Sequence, residues 1–194
     1  MSTPQTDGRL RRSERSREVI VEAMIELVGE GLLEPTAEQV AERAEVGLRS
    51  VFRHFRDMEG LYAAMDARLQ ARVAPLLDTE PPQGALAERA GGLVAQRVEV
   101  FEAIAPYKRA EVLKRWRSEF LRSQHAGMVR RLRADLRRWL PEVAEAPAEL
   151  ADALELATSF EAWDRLRSEQ RLGRSRAAAA VEQSVLALLR GLRS

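Results

Sequence analysis

Between Gly47 and Phe55 the chain reads GLRSVFRHF, and Arg49, Ser50, Arg53 and His54 within it are side chains of the types that meet nucleic acid. If the segment is one helix, Val51 and Phe55 lie one turn apart on its inner face, while Arg49 and Arg53 project together from the outer one. Laid in a major groove, such a helix carries its first side chains to base edges. There a guanidinium meets guanine through two hydrogen bonds worth about 1–3 kcal/mol of discrimination. Gly47 and Leu48 open the helix, where backbone amides favour an anion such as a phosphate. Other chemistries find little material. The chain has two histidines, His54 and His125, and no cysteine. It shows no Glu-x-x-His pair, no glycine-rich phosphate loop after a strand and no nucleophile elbow. No catalytic residue, metal site or cofactor is expected, and the chain does not read as an enzyme.

The elements that must position this segment are legible on both sides. Ile20, Ala23, Met24, Leu27 and Val28 recur at helical spacing, predicting an amphipathic helix that ends near Gly29 or Gly31. Thr36 followed by Gln39 forms a capping box, and Val40, Ala41 and Ala44 line the buried stripe of the helix it starts. Only Glu45, Val46 and Gly47 then separate that helix from the next, so the pair reads as a helix-turn-helix. Asp57 is placed to cap a longer helix through Leu61, Ala64, Met65, Leu69 and Val73, and Asp78–Gly84 reads as a loop. Beyond it, helices are expected at about 85–104, 107–123, 126–140, 148–171 and 175–191, divided at Pro106, Gly127, Pro141, Pro147 and Gly173. No stretch alternates with a period of two. The fold is therefore expected to be all-α, with about nine helices.

Charge argues locally rather than globally. The 194 residues carry a formal net charge of +1, and residues 1–60 hold nine arginines against twelve carboxylates, a net of −3. Binding to DNA must then rest on patches: Arg9, Arg11, Arg12, Arg15 and Arg17 ahead of the first helix, and Arg49, Arg53 and Arg56 around the second motif. No apolar run reaches the roughly 18–20 residues of a membrane span, and the first residues lack the apolar core of a secretion signal. A cytoplasmic protein with no membrane partner is expected.

Residues 17–64, REVIVEAMIELVGEGLLEPTAEQVAERAEVGLRSVFRHFRDMEGLYAA, resemble the DNA-binding head of the TetR-type transcriptional regulators. Thr36, Val40, Ala41, Ala44, Val46, Ser50, Val51, His54, Phe55, Glu59 and Leu61 fall on the family pattern in order, and FEAWDRLRSEQRLG near the C-terminus looks like its penultimate helix. The resemblance implies a basic arm (1–12), a head (13–60) and an effector-binding and dimerisation body (61–194). It implies a repressor that binds a palindromic double-stranded operator as a homodimer, paired through its last two helices, and that a small-molecule effector releases. DNA contacts are implied at Arg15, Arg17, Thr36, Gly47, Leu48, Arg49, Ser50, Phe52, Arg53 and His54. The chain departs from the pattern at Phe52, where a tyrosine is usual, at Met58, where a lysine is usual, and at Glu45, where a glycine is usual. The hydroxyl and the ammonium commonly hold phosphates. A helical interaction protein that kept this fold with weak or lost DNA binding is therefore the alternative.

Effector-lining candidates are Phe101, Tyr107, Trp116, Phe120, Met128, Trp139, Phe160 and Trp163, because aromatics and methionine make adaptable apolar walls. Residues 108–138 hold eleven Lys or Arg against Glu111, Glu119 and Asp135, a balance that suits an acidic ligand, a thioester or a protein partner. The 148–171 helix carries two apolar stripes, Leu150, Leu154 and Ala157 on one and Leu156, Ser159, Phe160 and Trp163 on the other. The last helix has Ala177, Val181, Val185, Leu188 and Leu192 with the offset Leu186 and Leu189. A helix apolar on two sides needs two neighbours, which points to a four-helix interface in a twofold dimer.

Overall fold

A computed structural model describes residues 4–191, with side chains from Leu10 onward. Leu192 and the side chain of Arg9 lie outside the described residues. The chain is all-α: α1 Pro4–Gly29, α2 Ala37–Arg43, α3 Leu48–His54, α4 Met58–Leu77, α5 Leu86–Arg115, α6 Glu119–Trp139, α7 Ala148–Ala157, α8 Phe160–Asp164 and α9 Arg174–Arg190. A 3-10 turn, Pro141–Ala144, precedes α7, and a π turn, Arg165–Glu169, follows α8. Two compact units result. One comprises the residues up to Arg72 together with Pro106–Leu121, and the other comprises Val73–Ala105 with the residues from Arg122 onward.

In the first unit, α1 contributes Ile20, Met24, Leu27 and Val28, α2 contributes Val40 and Ala41, and α3 contributes Val51, all packed with Phe55, Leu61, Tyr62, Met65 and Ala110. Residues 4–12, expected as an arm ahead of α1, are its first turns. Pro4 is compatible with a helix start, and the arginines and Leu10 that follow are good helix formers. The end of α1 closes in a Schellman arrangement, in which Leu32 donates to the Leu27 carbonyl and Gly31 to that of Val28, with Gly31 at φ +99°. The end of α2 repeats it one for one: Val46 donates to Ala41 and Glu45 to Glu42. Here the left-handed position belongs to Glu45, at φ +53°. Asp57 caps α4 as expected, accepting from the Gly60 amide at 2.9 Å.

Three expected helix boundaries move. Pro106 lies inside α5 and Gly127 inside α6, so neither divides its helix. Proline removes one ladder bond and glycine adds backbone entropy, and continuous packing of each helix outweighs both. The break falls instead at Arg117 and Ser118, where the Ser118 hydroxyl accepts from the Leu121 amide at 3.2 Å and starts α6. The expected 148–171 helix is cut at Thr158 and Ser159. Thr158 and Ser159 donate their hydroxyls to the carbonyls of Leu154 and Leu156, each at 2.8 Å, and the Ser159 oxygen caps α8 through the Ala162 amide. Local side-chain bonds of this kind compete with the helical ladder.

That cut separates the two stripes read on one helix. Phe160 and Trp163 sit on α8 and are buried with Leu154 and Phe101 in the core of the second unit, whereas Leu156 stays 64% exposed. The Phe101 and Phe160 rings meet edge to face at 5.7 Å. Glu102 accepts from Trp163 Nε1 at 3.0 Å and from both arms of Arg167 at 2.9 and 3.1 Å. Those bonds, the Arg167 pair first, hold its carboxyl below the usual range.

Candidate nucleic-acid interface

The α2 capping box is complete: Thr36 Oγ1 accepts from the Gln39 amide at 3.3 Å, and Gln39 Oε1 accepts from the Thr36 amide at 2.8 Å. Reciprocal bonds of this kind satisfy two otherwise orphaned donors and fix the entry of the helix. Thr36 is exposed and its hydroxyl proton remains available to an acceptor outside the chain. Four residues separate α2 from α3, which starts behind Gly47, whose extended backbone carries no side-chain cap.

On α3, Val51 is buried and Phe55 closes the inner face, each burial contributing about 1.5–3 kcal/mol. Leu48, Arg49, Phe52 and Arg53 face solvent, and Phe52 is 49% exposed. Arg53 donates to Ser50 Oγ at 3.3 Å, so the two polar side chains of the outer face are pre-aligned. The Arg17 guanidinium lies over the Phe55 ring, 5.0 Å from its centroid. This contact brings α1 to the edge of α3 and was not legible from residues 38 positions apart. Arg15 is exposed on the same helix. His54 is half-buried, and its Nε2 is a buried atom with no hydrogen-bond partner. Burial, then the charges of Arg53 and Arg17, push its imidazole below the ordinary value.

The charge paradox of the first unit resolves in space. Glu30 takes both arms of Arg43 at 2.7 and 2.9 Å, with Glu26 at 3.4 Å from the same guanidinium. Glu22 holds Arg68 at 3.0 Å and Arg72, and Glu34 pairs with Lys114 at 3.7 Å. Four acids of α1 and its following loop are thus neutralised by cations from α2, α4 and α5. Arg15, Arg49, Arg53 and Arg56, by contrast, have no carboxylate partner among the described residues. The charged side chains of α3 itself, Arg49 and Arg53, are both positive, although the head as a whole is not and Glu45, unpaired among the described residues, sits in the turn before them.

The ten residues expected at DNA are therefore placed as follows: Arg17, Gly47, Leu48, Arg49, Ser50, Phe52, Arg53 and His54 are on or against α3, Thr36 starts α2, and Arg15 projects from α1. Of the departures, Met58 is half-buried against the core of the first unit rather than displayed to solvent. The effector candidates are not brought to one cleft. Phe101, Trp139, Phe160 and Trp163 belong to the core of the second unit with Met128 against it, Tyr107 and Phe120 belong to the first unit, and Trp116 is 73% exposed.

Comparison with known proteins agrees with this geometry. Residues 19–65 match the family model of bacterial regulatory proteins, tetR family. A solved structure from Streptomyces coelicolor A3(2), described as that of a candidate transcriptional regulator, superposes with a TM-score of 0.64 at 20% identity, covering 88% of this chain and 98% of that one. That likeness shows the fold. Among curated proteins none matches the chain.

Proposed function

Because residues 19–65 belong to the TetR family of bacterial regulatory proteins, we propose that this chain is a transcriptional regulator whose α3 enters the major groove of a roughly palindromic operator. The carrying observation is the arrangement of charge: Glu22, Glu26, Glu30 and Glu34 are paired with cations of other helices, whereas Arg49, Arg53 and Arg56, on and beside α3, have no carboxylate partner among the described residues. In this reading Arg49 and Arg53 read base edges, Ser50 holds Arg53 in place, and Arg15 and Arg17 meet the backbone. Thr36, the amides after Gly47, and His54 lie where phosphates flank the groove.

The protein acts as a homodimeric repressor in the cytoplasm, paired through its last helices and released by a small molecule. Half-sites then lie about 34–36 Å apart or a multiple of that. Support for pairing is the exposed Leu156 of α7 and the partly buried Leu186 and Leu188 of α9, apolar side chains with an open side. Support for an effector in the second unit is Trp139, whose buried Nε1 finds no acceptor, together with Gln96, whose buried Oε1 finds no donor. A ligand acts only by binding two head arrangements with different affinity.

Footprinting on the promoter beside its own gene, at low and moderate salt and with added metabolite extract, tests the reading. Arg49→Ala is expected to relax base preference, and Arg15→Ala to weaken all sequences about equally. Equal effects from both substitutions would refute the assigned roles.

A further inference from the structure

The start of α4 carries no cation of its own. Met58 is half-buried, and Glu59 next to it takes a hydrogen bond from the Ser118 hydroxyl. Within the same compact unit, the end of α5 and the start of α6 fold over this point. Leu113 and Leu121 share with Met58 and Tyr62 a cleft of about 310 Å³, and Arg117 lines both that cleft and the adjoining one over Glu59 and Gly60. The nearby cations come from the α5–α6 turn. Lys114 is occupied by Glu34 and by the Tyr62 ring, 4.4 Å away. Arg117 is exposed, its backbone amide donates to the Lys114 carbonyl at 2.9 Å, and its guanidinium makes no hydrogen bond or ion pair among the described residues.

The geometry points to Arg117 as a DNA-backbone contact, delivered from the α5–α6 turn to the start of α4 and continuous with the α3 surface. The inference rests on the DNA-binding reading above. Only Phe55, Arg56 and Asp57 separate α3 from α4, so His54 and Met58 lie at most about 14 Å apart. A backbone flanking α3 therefore passes within an arginine's reach of the α4 start. Arg56, exposed and without a carboxylate partner, lies between them on the same path. The cation missing from sequence position 58 is returned in space by a residue 59 positions further along. Trp116, with Arg115 stacked 5.3 Å from its ring centroid, gives the turn an aromatic edge beside the contact.

The test is fluorescence anisotropy of the full-length protein with a labelled duplex of mixed sequence, about three helical turns long, titrated across salt. Arg117→Ala is expected to flatten the slope of log affinity against log salt by about one unit, roughly a three- to fourfold smaller change between about 50 and 200 mM. Arg117→Lys retains the slope, and Met58→Lys restores it in the Arg117→Ala background. Arg137→Ala, the same charge change on the exposed face of α6 in the other unit, leaves it unchanged. A slope and affinity for Arg117→Ala equal to wild type, with Arg15→Ala still weakened, overturns this contact and leaves the DNA-binding reading standing. A wild-type protein with no salt-dependent binding overturns that reading and this contact together.

Discussion

Glu45 offers a prediction whose size follows from two turns of the same kind in one molecule. Gly31 and Glu45 occupy the equivalent left-handed position after α1 and α2, closed by the same pair of backbone hydrogen bonds. A side chain bearing Cβ costs about 1–2 kcal/mol in that conformation. Glycine gives back about 0.5–1 kcal/mol through the extra freedom of its unfolded chain. Glu45→Gly should therefore stabilise the first unit by about 0.5–1 kcal/mol, the difference between the two effects. Gly31→Ala should lose a similar amount or more. A Cβ at position 31 meets nothing within 4 Å, so that loss comes from the backbone alone. Urea unfolding followed by circular dichroism measures both, and Glu45→Gln separates charge from conformation, because it removes the carboxylate and keeps the strained backbone. Glu45→Gln should fall within about 0.5 kcal/mol of wild type, as for an ordinary surface change. If Glu45→Gly and Glu45→Gln shift stability equally, or Glu45→Gly lowers it, the argument from φ is wrong. On DNA, both variants should bind more tightly at low salt, since each removes an acid beside the turn.

Other expectations follow from the same geometry. His54 has a folded-state value below its unfolded one, so its contribution to stability is complete above about pH 6.5 and is lost as pH falls below it. A phosphate near the imidazole opposes that shift, so DNA affinity should rise between about pH 7.5 and 6 and His54→Gln should flatten the rise; a pH series of anisotropy titrations decides it. Gly92→Ala would set a Cβ 2.6 Å from Trp139 Cζ3, an overpacking of about 1–3 kcal/mol that urea unfolding should register and Trp139→Phe should partly relieve; a neutral Gly92→Ala contradicts the packing. Arg97 is buried, with its value pushed down to about 10 by burial against the pull of Asp135. Its Nη1 lies 2.9 Å from Asp135 Oδ2, close as an ion pair but not aligned as a hydrogen bond, while Nη2 donates to the Leu132 carbonyl at 2.8 Å. Asp135→Ala should cost about 3–5 kcal/mol by stranding that charge, and Arg97→Met with Asp135→Leu should recover most of it.

Local chemistry was legible wherever a short segment decided its own structure. The Thr36 capping box, the Asp57 cap and the division of α3 into an inner face of Val51 and Phe55 and an outer face of Arg49 and Arg53 all depend on partners within a turn. Boundaries set by competition were misread. Pro106 and Gly127 look like punctuation and are overridden by packing along long helices, whereas Ser118, Thr158 and Ser159 look innocuous and break theirs through hydroxyl bonds to the backbone. The sequence signal at Ser118 is a capping residue three before Leu121, weaker in appearance than Pro106 or Gly127. Contacts between distant positions left no local trace: Arg17 on Phe55, Glu102 with Trp163 and Arg167, and the clustering of Arg117 near Met58. Position 58 shows the consequence. In the sequence it is a lost cation, and in the fold it is an apolar site beneath a turn that carries one. The net charge of the head excludes a global attraction, and the ion pairs of Glu22, Glu26, Glu30 and Glu34, which the sequence does not show, set Arg43, Arg68, Arg72 and Lys114 apart from the arginines of α3.

The central claim, that uncompensated arginines around α3 make this head a sequence-selective DNA reader, is tested most directly by competition. Wild-type protein and Arg49→Ala are titrated onto the upstream duplex of the protein's own gene in the presence of a scrambled duplex, at a series of salt concentrations. Steep salt dependence is expected for both proteins, with a preference for the upstream duplex that Arg49→Ala loses, a discrimination change of about 1–3 kcal/mol. Salt dependence without preference in wild type, or a preference that survives Arg49→Ala intact, would contradict it.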